Sequence, residues 1–180
     1  MFVKILYAVV AVLILVVGGQ IWTQHQINLY LENQSTAQSY GADRDKAKIT
    51  IVAFMDYTCR TCKDTNAAVL QAVAENPDTR IIFHPLPQAA SALSVKAARA
   101  ALAAAKQGQF IAMHEELMRN EKPLTDALIR QFAEKFNMDP AQLEADAAGE
   151  DVMARLQKTS GIARRLRLQA TPSFIFNRKI

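Results

Sequence analysis

The pattern of apolar and polar residues predicts a strand–helix–strand unit after the first 48 residues. Residues 49–55 form a nearly continuous apolar run with β-branched side chains, which is typical of a strand buried on both faces. From Lys63 onward, apolar residues recur at steps of three and four positions, which predicts an amphipathic helix. Residues 80–84 (RIIFH) form a second short strand that is ended by prolines. A unit of this length predicts two parallel strands joined by a right-handed crossover.

Most of the chain that follows is predicted to be helical. Apolar residues at helical spacing predict five helices between Ser91 and Leu168, and their methionine and aromatic positions are interpreted as core residues. Thr125 and Asp139 are predicted to cap two of these helices. The last helix is expected to be interrupted or bent near Gly161.

The final residues return to an extended pattern. Residues 170–173 (ATPS) break the helical periodicity, and residues 174–176 predict a third apolar strand. Residues 177–179 are interpreted as a turn, after which a further strand would begin at Ile180.

The first 22 residues are the most apolar part of the chain. Lys4 is the only charged residue before an uncharged run at residues 5–17, and the apolar stretch that continues through Trp22 is just long enough to span a membrane as a helix. This pattern predicts a signal anchor or signal peptide in residues 1–22, and we favour an uncleaved anchor with Lys4 in the cytoplasm. Residues 23–48 are polar and predict a linker, with a short helix at its start.

Composition adds limits on function and location. A length of 180 residues fits one main domain with one appendage. The net charge of +4 is too small an excess of basic residues to argue for nucleic-acid binding. The leader predicts a bacterial protein at the inner membrane that faces the periplasm or the cell exterior, or a periplasmic or secreted protein if the leader is cleaved. Such compartments are oxidising, so a pair of cysteines can cycle there between thiol and disulfide.

The chain has two cysteines, and both lie at the start of the helix that follows the first predicted strand. Cys59 is expected where unpaired backbone N–H groups and the positive end of the helix dipole stabilise a thiolate. Cys62 follows three residues later, within one helical turn, and is close enough to form a disulfide with Cys59. The spacing and the strand–helix context therefore predict a redox-active pair.

Other interpretations of the pair are possible. A purely structural disulfide would close so short a loop that it removes little entropy from the unfolded chain. A zinc site needs two more ligands, and His25, His84 and His114 are scattered without ligand spacing. The two cysteines could also be buried without chemistry. A domain that binds a soft metal such as Cu(I) through Cys59 and Cys62, or a non-catalytic interaction domain, is the alternative function.

The order of these features resembles that of the DsbA-family thiol:disulfide oxidoreductases. The resemblance covers residues 49–180, and four segments support it best: AFMDYTCRTC, QFIAMHEELM, FNMDPAQLEADAAGEDV and QATPSFIFN. It implies an α/β, thioredoxin-like fold with an all-helical insertion at about residues 89–151, here preceded by an N-terminal transmembrane or signal helix. It also implies an enzyme without a metal or other cofactor, in which the Cys59–Cys62 disulfide itself is the redox centre.

The resemblance also assigns roles to particular residues. Cys59 and Cys62 would be catalytic, and Pro172 would follow a cis peptide bond and face the pair. The backbone of Thr171 would then bind an extended segment of an exported protein substrate. Arg60 and Thr61, which lie between the cysteines, would tune the pair, and the Arg60 cation is expected to lower the pKa of Cys59. A membrane redox partner is expected, and we favour an oxidase or general oxidoreductase over an isomerase because no dimerisation module is visible.

Two departures from the family pattern affect these expectations. Many relatives have a buried acid six residues before the first cysteine, where this chain has Ala53, and Asp56 is the nearest acid upstream. The family also usually continues past the proline strand with another strand and a helix. Without them, the strand at residues 173–176 is expected to have an unpaired edge, so that either the chain is a fragment or a partner covers that surface.

Overall fold

The computed structural model describes the backbone of residues 2–32 and 38–178, and the side chains of residues 15–30 and 38–176. The chain divides into two compact units, Met1–Asn33 and Gln34–Ile180.

The first unit is a helix, α1 (Phe2–Glu32). It extends beyond the predicted leader, so the short helix expected after residue 22 is part of α1. Among the described residues, no helix is both long and apolar enough to cross a membrane. The side chains of residues 2–14, which give the predicted anchor most of its apolar character, lie outside the described part of the chain. The anchor in residues 1–22 is therefore not confirmed.

The second unit contains a mixed four-stranded sheet in the order β1-β3-β2-β4. Its strands are β1 (Ser39–Gly41), β2 (Ile49–Met55), β3 (Thr79–Pro85) and β4 (Ser173–Arg178). β2 and β3 pair in parallel, as predicted, and the helix between them is α2 (Arg60–Ala74). β4 pairs antiparallel with β2 and lies at one edge of the sheet. The described residues thus leave the outer edge of β4 unpaired, as expected from the sequence.

Two strand predictions need correction. β1 lies inside the predicted linker and pairs antiparallel with β3. At Gly41 the φ angle is +95°, and an added Cβ would lie 2.5 Å from the Thr79 carbonyl oxygen, so this short strand depends on a glycine. The turn predicted at residues 177–179 is wrong for its first two residues, because Asn177 and Arg178 pair with Thr50 and Ile49 of β2. Lys179 lies outside the described residues.

Five helices fill residues 92–165: α3 (Ala92–Lys106), α4 (Phe110–Arg119), α5 (Asp126–Lys135), α6 (Pro140–Ala148) and α7 (Glu150–Arg165). The predicted caps are confirmed, since Thr125 and Asp139 accept hydrogen bonds from backbone N–H groups of the first turns of α5 and α6. α7 continues through Gly161, so it is not interrupted there, and a bend at this position stays a prediction. Thr159 and Ile162 are both buried, and this packing holds the helix together across the glycine.

Strand register places the cysteines beside the loop that contains Pro172. β2 ends at Met55, and three residues connect it to Cys59 at the start of α2. On the neighbouring strand, Ser173 pairs with Phe54 near the end of β2. The two residues before Ser173 therefore lie next to the connection that leads to the cysteines.

Candidate active site

Cys59 is the N-cap residue of α2. Its backbone is extended (φ −79°, ψ 121°), and its sulfur accepts a hydrogen bond from the Cys62 amide at 3.4 Å. A negative sulfur in this position is stabilised because it faces N–H groups that have no partner within the helix. The Cys59 side chain is half-buried, so its sulfur can be reached from solvent.

Cys62 lies one turn into the same helix and is fully buried. Its sulfur accepts a hydrogen bond from the backbone N–H of Asp56 at 3.4 Å. The first cysteine is thus partly accessible and the second is covered, which is the arrangement expected for an attacking and a resolving thiol.

The surroundings move the pKa values of the two thiols in opposite directions. Burial raises the pKa of Cys59, but hydrogen bonds from Cys62, the Thr171 side chain and the Thr61 backbone outweigh it, so this pKa falls below its ordinary value of 9.0. Burial dominates at Cys62 and raises its pKa to about 12, although the Asp56 amide opposes the change. Near neutral pH, Cys59 is therefore the thiol that more readily forms a thiolate.

The loop before β4 contacts the cysteine pair. The Thr171–Pro172 peptide bond is cis, as predicted. The Cys59 thiol donates a hydrogen bond to the Thr171 carbonyl oxygen at 3.3 Å. This contact joins residues 112 positions apart in sequence, and it places a backbone acceptor beside the reactive sulfur.

Arg60 and Thr61 lie between the cysteines and have different contacts. The Arg60 guanidinium lies 3.0 Å from the Asp64 carboxylate and 3.3 Å from that of Glu121, and its side chain is 74% exposed. The hydrogen bonds that lower the pKa of Cys59 come from Cys62, Thr171 and Thr61. Thr61 acts through its backbone amide, which almost any residue in that position would supply.

A buried polar network behind the pair was not foreseen from the sequence. The Tyr57 hydroxyl lies 3.1 Å from Nδ1 of His114, and Nε2 of His114 lies 2.9 Å from Oδ1 of Asn66. Since Oδ1 is only an acceptor, Nε2 carries the proton, and Tyr57 donates to Nδ1. The network therefore links the connection before Cys59, helix α2 and helix α4.

His114 is neutral in this network. It is fully buried, and burial lowers its pKa from 6.5 to about 3. Its ring packs against Phe83, with the centroids 4.1 Å apart, and against Phe110 at 5.7 Å. A signal was present in the sequence, because His114 follows Phe110 by four residues and so lies on the apolar face of its helix. His84 is also buried and stacks on Phe54, which fits the structural role expected for it.

Within the part of the chain that the structure describes, no group of three or more His, Cys, Asp or Glu residues is placed to hold a metal ion.

Comparison with known proteins identifies the family. The sequence model of the thioredoxin family matches residues 35–180. A thioredoxin-like oxidoreductase from Silicibacter pomeroyi DSS-3 is 30% identical, with a TM-score of 0.74, and the match covers 83% of this chain and 84% of that one. A periplasmic thioredoxin-like protein from Salmonella enterica serovar Typhimurium is 32% identical, with a TM-score of 0.72, over 86% and 85% of the two chains.

Two curated relatives extend the comparison. The probable disulfide bond formation protein D of Bacillus cereus is 26% identical over 79% of this chain and 71% of that protein. The Na(+)/H(+) antiporter NhaA 3 of Salinispora tropica is 27% identical over 73% of this chain. The match covers 20% of the antiporter, so the chain spans about a fifth of the length of this relative. These findings confirm the thioredoxin-like α/β fold and the resemblance to DsbA-type oxidoreductases, and the chain belongs to the thioredoxin family.

Proposed function

We propose that the chain is a thiol:disulfide oxidoreductase that forms, reduces or exchanges disulfides in exported proteins through Cys59 and Cys62. The observation that supports this most directly is the contrast between the two sulfurs. One is half-buried with a lowered pKa, and the other is fully buried with a pKa raised to about 12. Two equivalent structural thiols have no need of such a difference.

In the oxidising direction, a thiolate of the client protein attacks the sulfur of Cys59. The Cys59–Cys62 bond breaks, a client–Cys59 bond forms, and Cys62 takes the electron pair and a proton. A second client thiolate then attacks the client sulfur of this mixed disulfide and releases the Cys59 thiolate. The client has lost two electrons and gained a disulfide, while the pair has been reduced.

The reverse direction uses the same groups. The Cys59 thiolate attacks a client disulfide, and the leaving client sulfur takes up a proton. Cys62 then loses its proton and attacks Cys59, which releases the second client thiol and leaves the pair oxidised. The hydrogen bonds at Cys59 stabilise its thiolate and therefore the reduced form of the pair, so they favour the oxidising direction. This supports an oxidase or general oxidoreductase.

The client would bind beside Thr171. The Thr171 carbonyl oxygen accepts a hydrogen bond from Cys59, so a client segment bonded to Cys59 would pass close to the backbone of Thr171. An extended segment can pair there with the N–H and C=O groups of Thr171, in the manner of an added strand. Pro172 fixes the path of the chain at this point.

The proposed location is outside the cytoplasm. The apolar leader in residues 1–22 and the similarity to a periplasmic thioredoxin-like protein both favour export. A membrane redox partner and a membrane tether belong to the same proposal. Fractionation of cells that express the full chain tests it, since the protein should be found in the periplasm or with membranes, and a purely cytoplasmic chain would contradict export.

Exchange assays with single-cysteine variants test the activity. The full chain should oxidise a reduced dithiol peptide or reduce insulin, and Cys59→Ser should abolish both reactions. Cys62→Ser should instead accumulate mixed disulfides through Cys59, because no resolving thiol remains. Activity that survives in Cys59→Ser, or mixed disulfides that form equally well through Cys62 in Cys59→Ser, would overturn the proposal.

A further inference from the structure

Asp56 is a buried carboxylate with an unusual number of contacts near the cysteine pair. It directly follows β2, and 2% of its surface is exposed. One carboxylate oxygen accepts hydrogen bonds from the Thr58 amide at 2.8 Å and from the Thr58 hydroxyl at 2.9 Å. The other accepts a hydrogen bond from the Gln88 amide at 3.2 Å, in the segment after β3. The carboxylate therefore ties the connection before Cys59 to a neighbouring loop.

The main chain of the same residue contacts both cysteines. Its N–H points at the Cys62 sulfur at 3.4 Å, and its carbonyl oxygen accepts a hydrogen bond from the Cys59 amide at 3.1 Å. Turning the Asp56 peptide groups would therefore disturb the Cys62 sulfur and the backbone of Cys59. The carboxylate limits such a rotation, because it is held by two donors of Thr58 within the connection and by the Gln88 amide outside it.

Asp56 does not replace the buried acid that many relatives have at the position of Ala53. The contact between Asp56 and Cys62 comes from a backbone N–H, which is a donor, while the carboxylate oxygens face Thr58 and Gln88. Ala53 itself is buried and has no polar side chain. Asp56 is thus placed to hold the loop and not to take the proton of Cys62.

We propose that Asp56 is a positioning residue of the redox pair. Its carboxylate clamps the connection between β2 and α2, so that its own peptide groups hold the Cys62 sulfur and the Cys59 amide in place. The consequence for catalysis rests on the proposed exchange function, but the positioning itself can be measured without it.

The substitution Asp56→Asn tests the clamp. An amide group has one acceptor oxygen, so it cannot accept from Thr58 and Gln88 on both sides. The loosened connection should weaken the N-cap geometry at Cys59, which raises the pKa of Cys59 and lowers its thiolate fraction at neutral pH by about threefold or more. In equilibrium with glutathione, the pair should shift toward its oxidised form.

The sign of the change separates positioning from simple electrostatics. Loss of a negative charge near a thiolate lowers the pKa of that thiol, so a purely electrostatic effect of Asp56→Asn would be opposite to the one expected. Asp64→Asn is the matched control, because it removes an exposed carboxylate from α2, the helix of the cysteines, and leaves the connection between β2 and α2 unchanged. It should not raise the pKa of Cys59.

A second variant keeps the test valid if Asp56→Asn does not fold. Thr58→Val removes one donor to the carboxylate and leaves the charge, and it should raise the pKa of Cys59 by a smaller amount, whereas Thr58→Ser should not. An unchanged or lowered pKa of Cys59 in the folded variants would overturn the proposal. Failure of the wild-type chain in exchange assays would instead count against the proposed function, because the titrations need no substrate.

Discussion

Acid should destabilise this protein through His114. The imidazole is fully buried between aromatic rings and is held neutral by Tyr57 and Asn66. Nδ1 accepts a hydrogen bond in this network, so protonation of His114 would turn this acceptor into a donor and place a charge in the core. In the unfolded chain the same group titrates near its ordinary pKa of 6.5, whereas in the folded protein burial lowers the pKa to about 3.

The size and sign of the effect follow from proton linkage. Because the folded-state pKa is the lower one, the unfolded chain binds the proton first, and stability falls as the pH drops below 6.5. At pH 5 the free energy of unfolding should be smaller by about 2 kcal/mol than at neutral pH. The loss should grow to about 4 kcal/mol near pH 3, where the folded protein also begins to take up the proton.

Urea unfolding of the wild type and of His114→Gln at pH 7 and pH 5 measures this contribution. Glutamine can donate to Asn66 and accept from Tyr57, yet it does not titrate, so other ionisable groups contribute equally to both proteins. The wild type should lose about 2 kcal/mol more than His114→Gln between the two pH values, with similar urea dependence. Equal losses in the two proteins would refute the assignment of His114 as a buried neutral group.

Three further predictions concern single residues. Gly41→Ala should reduce the free energy of unfolding by more than about 2 kcal/mol, because φ is +95° and the new Cβ would meet the Thr79 carbonyl oxygen. Gly161→Ala should not destabilise the protein, because a Cβ there meets nothing within 4 Å. Equal stability of these two variants in urea would contradict this. Arg60→Ala should change the thiolate fraction of Cys59 by less than about twofold, because the exposed Arg60 guanidinium is paired with carboxylates. A larger fall in the thiolate fraction on titration would support the predicted role of Arg60 in lowering the pKa of Cys59. Thr171→Val should raise the pKa of both cysteines, because a hydrogen bond from the Thr171 side chain lowers each pKa. Alkylation of Cys59 as fast as in the wild type would contradict a hydrogen bond between Thr171 and Cys59.

The parts of the fold that depend on local sequence could be predicted. The apolar run of β2, the periodicity of α2 and the caps at Thr125 and Asp139 are each encoded within a few neighbouring residues. The position of Cys59 at the start of α2 is local in the same sense. The contact of its sulfur with a backbone N–H of the first turn was therefore expected from the strand–helix context.

The features that were missed depend on distant residues. β1 has three residues without apolar alternation, and its strand conformation comes from pairing with β3 about 40 positions later. The partners of His114 lie 57 and 48 positions away in sequence, so no local pattern could place them together. Arg60 was expected to act on its neighbour Cys59, but one of its carboxylate partners, Glu121, lies 61 positions further along the chain.

The two sulfurs differ in acidity because Cys59 caps α2, whereas Cys62 is buried one turn inside it. Residue-resolved alkylation of the reduced protein over a range of pH, followed by mass spectrometry, measures this difference. Cys59 should be modified with a midpoint below pH 9, while Cys62 should stay protected until far more alkaline pH, in line with a pKa raised to about 12. Equal midpoints for the two thiols, or earlier modification of Cys62, would show that Cys59 is not the more acidic thiol.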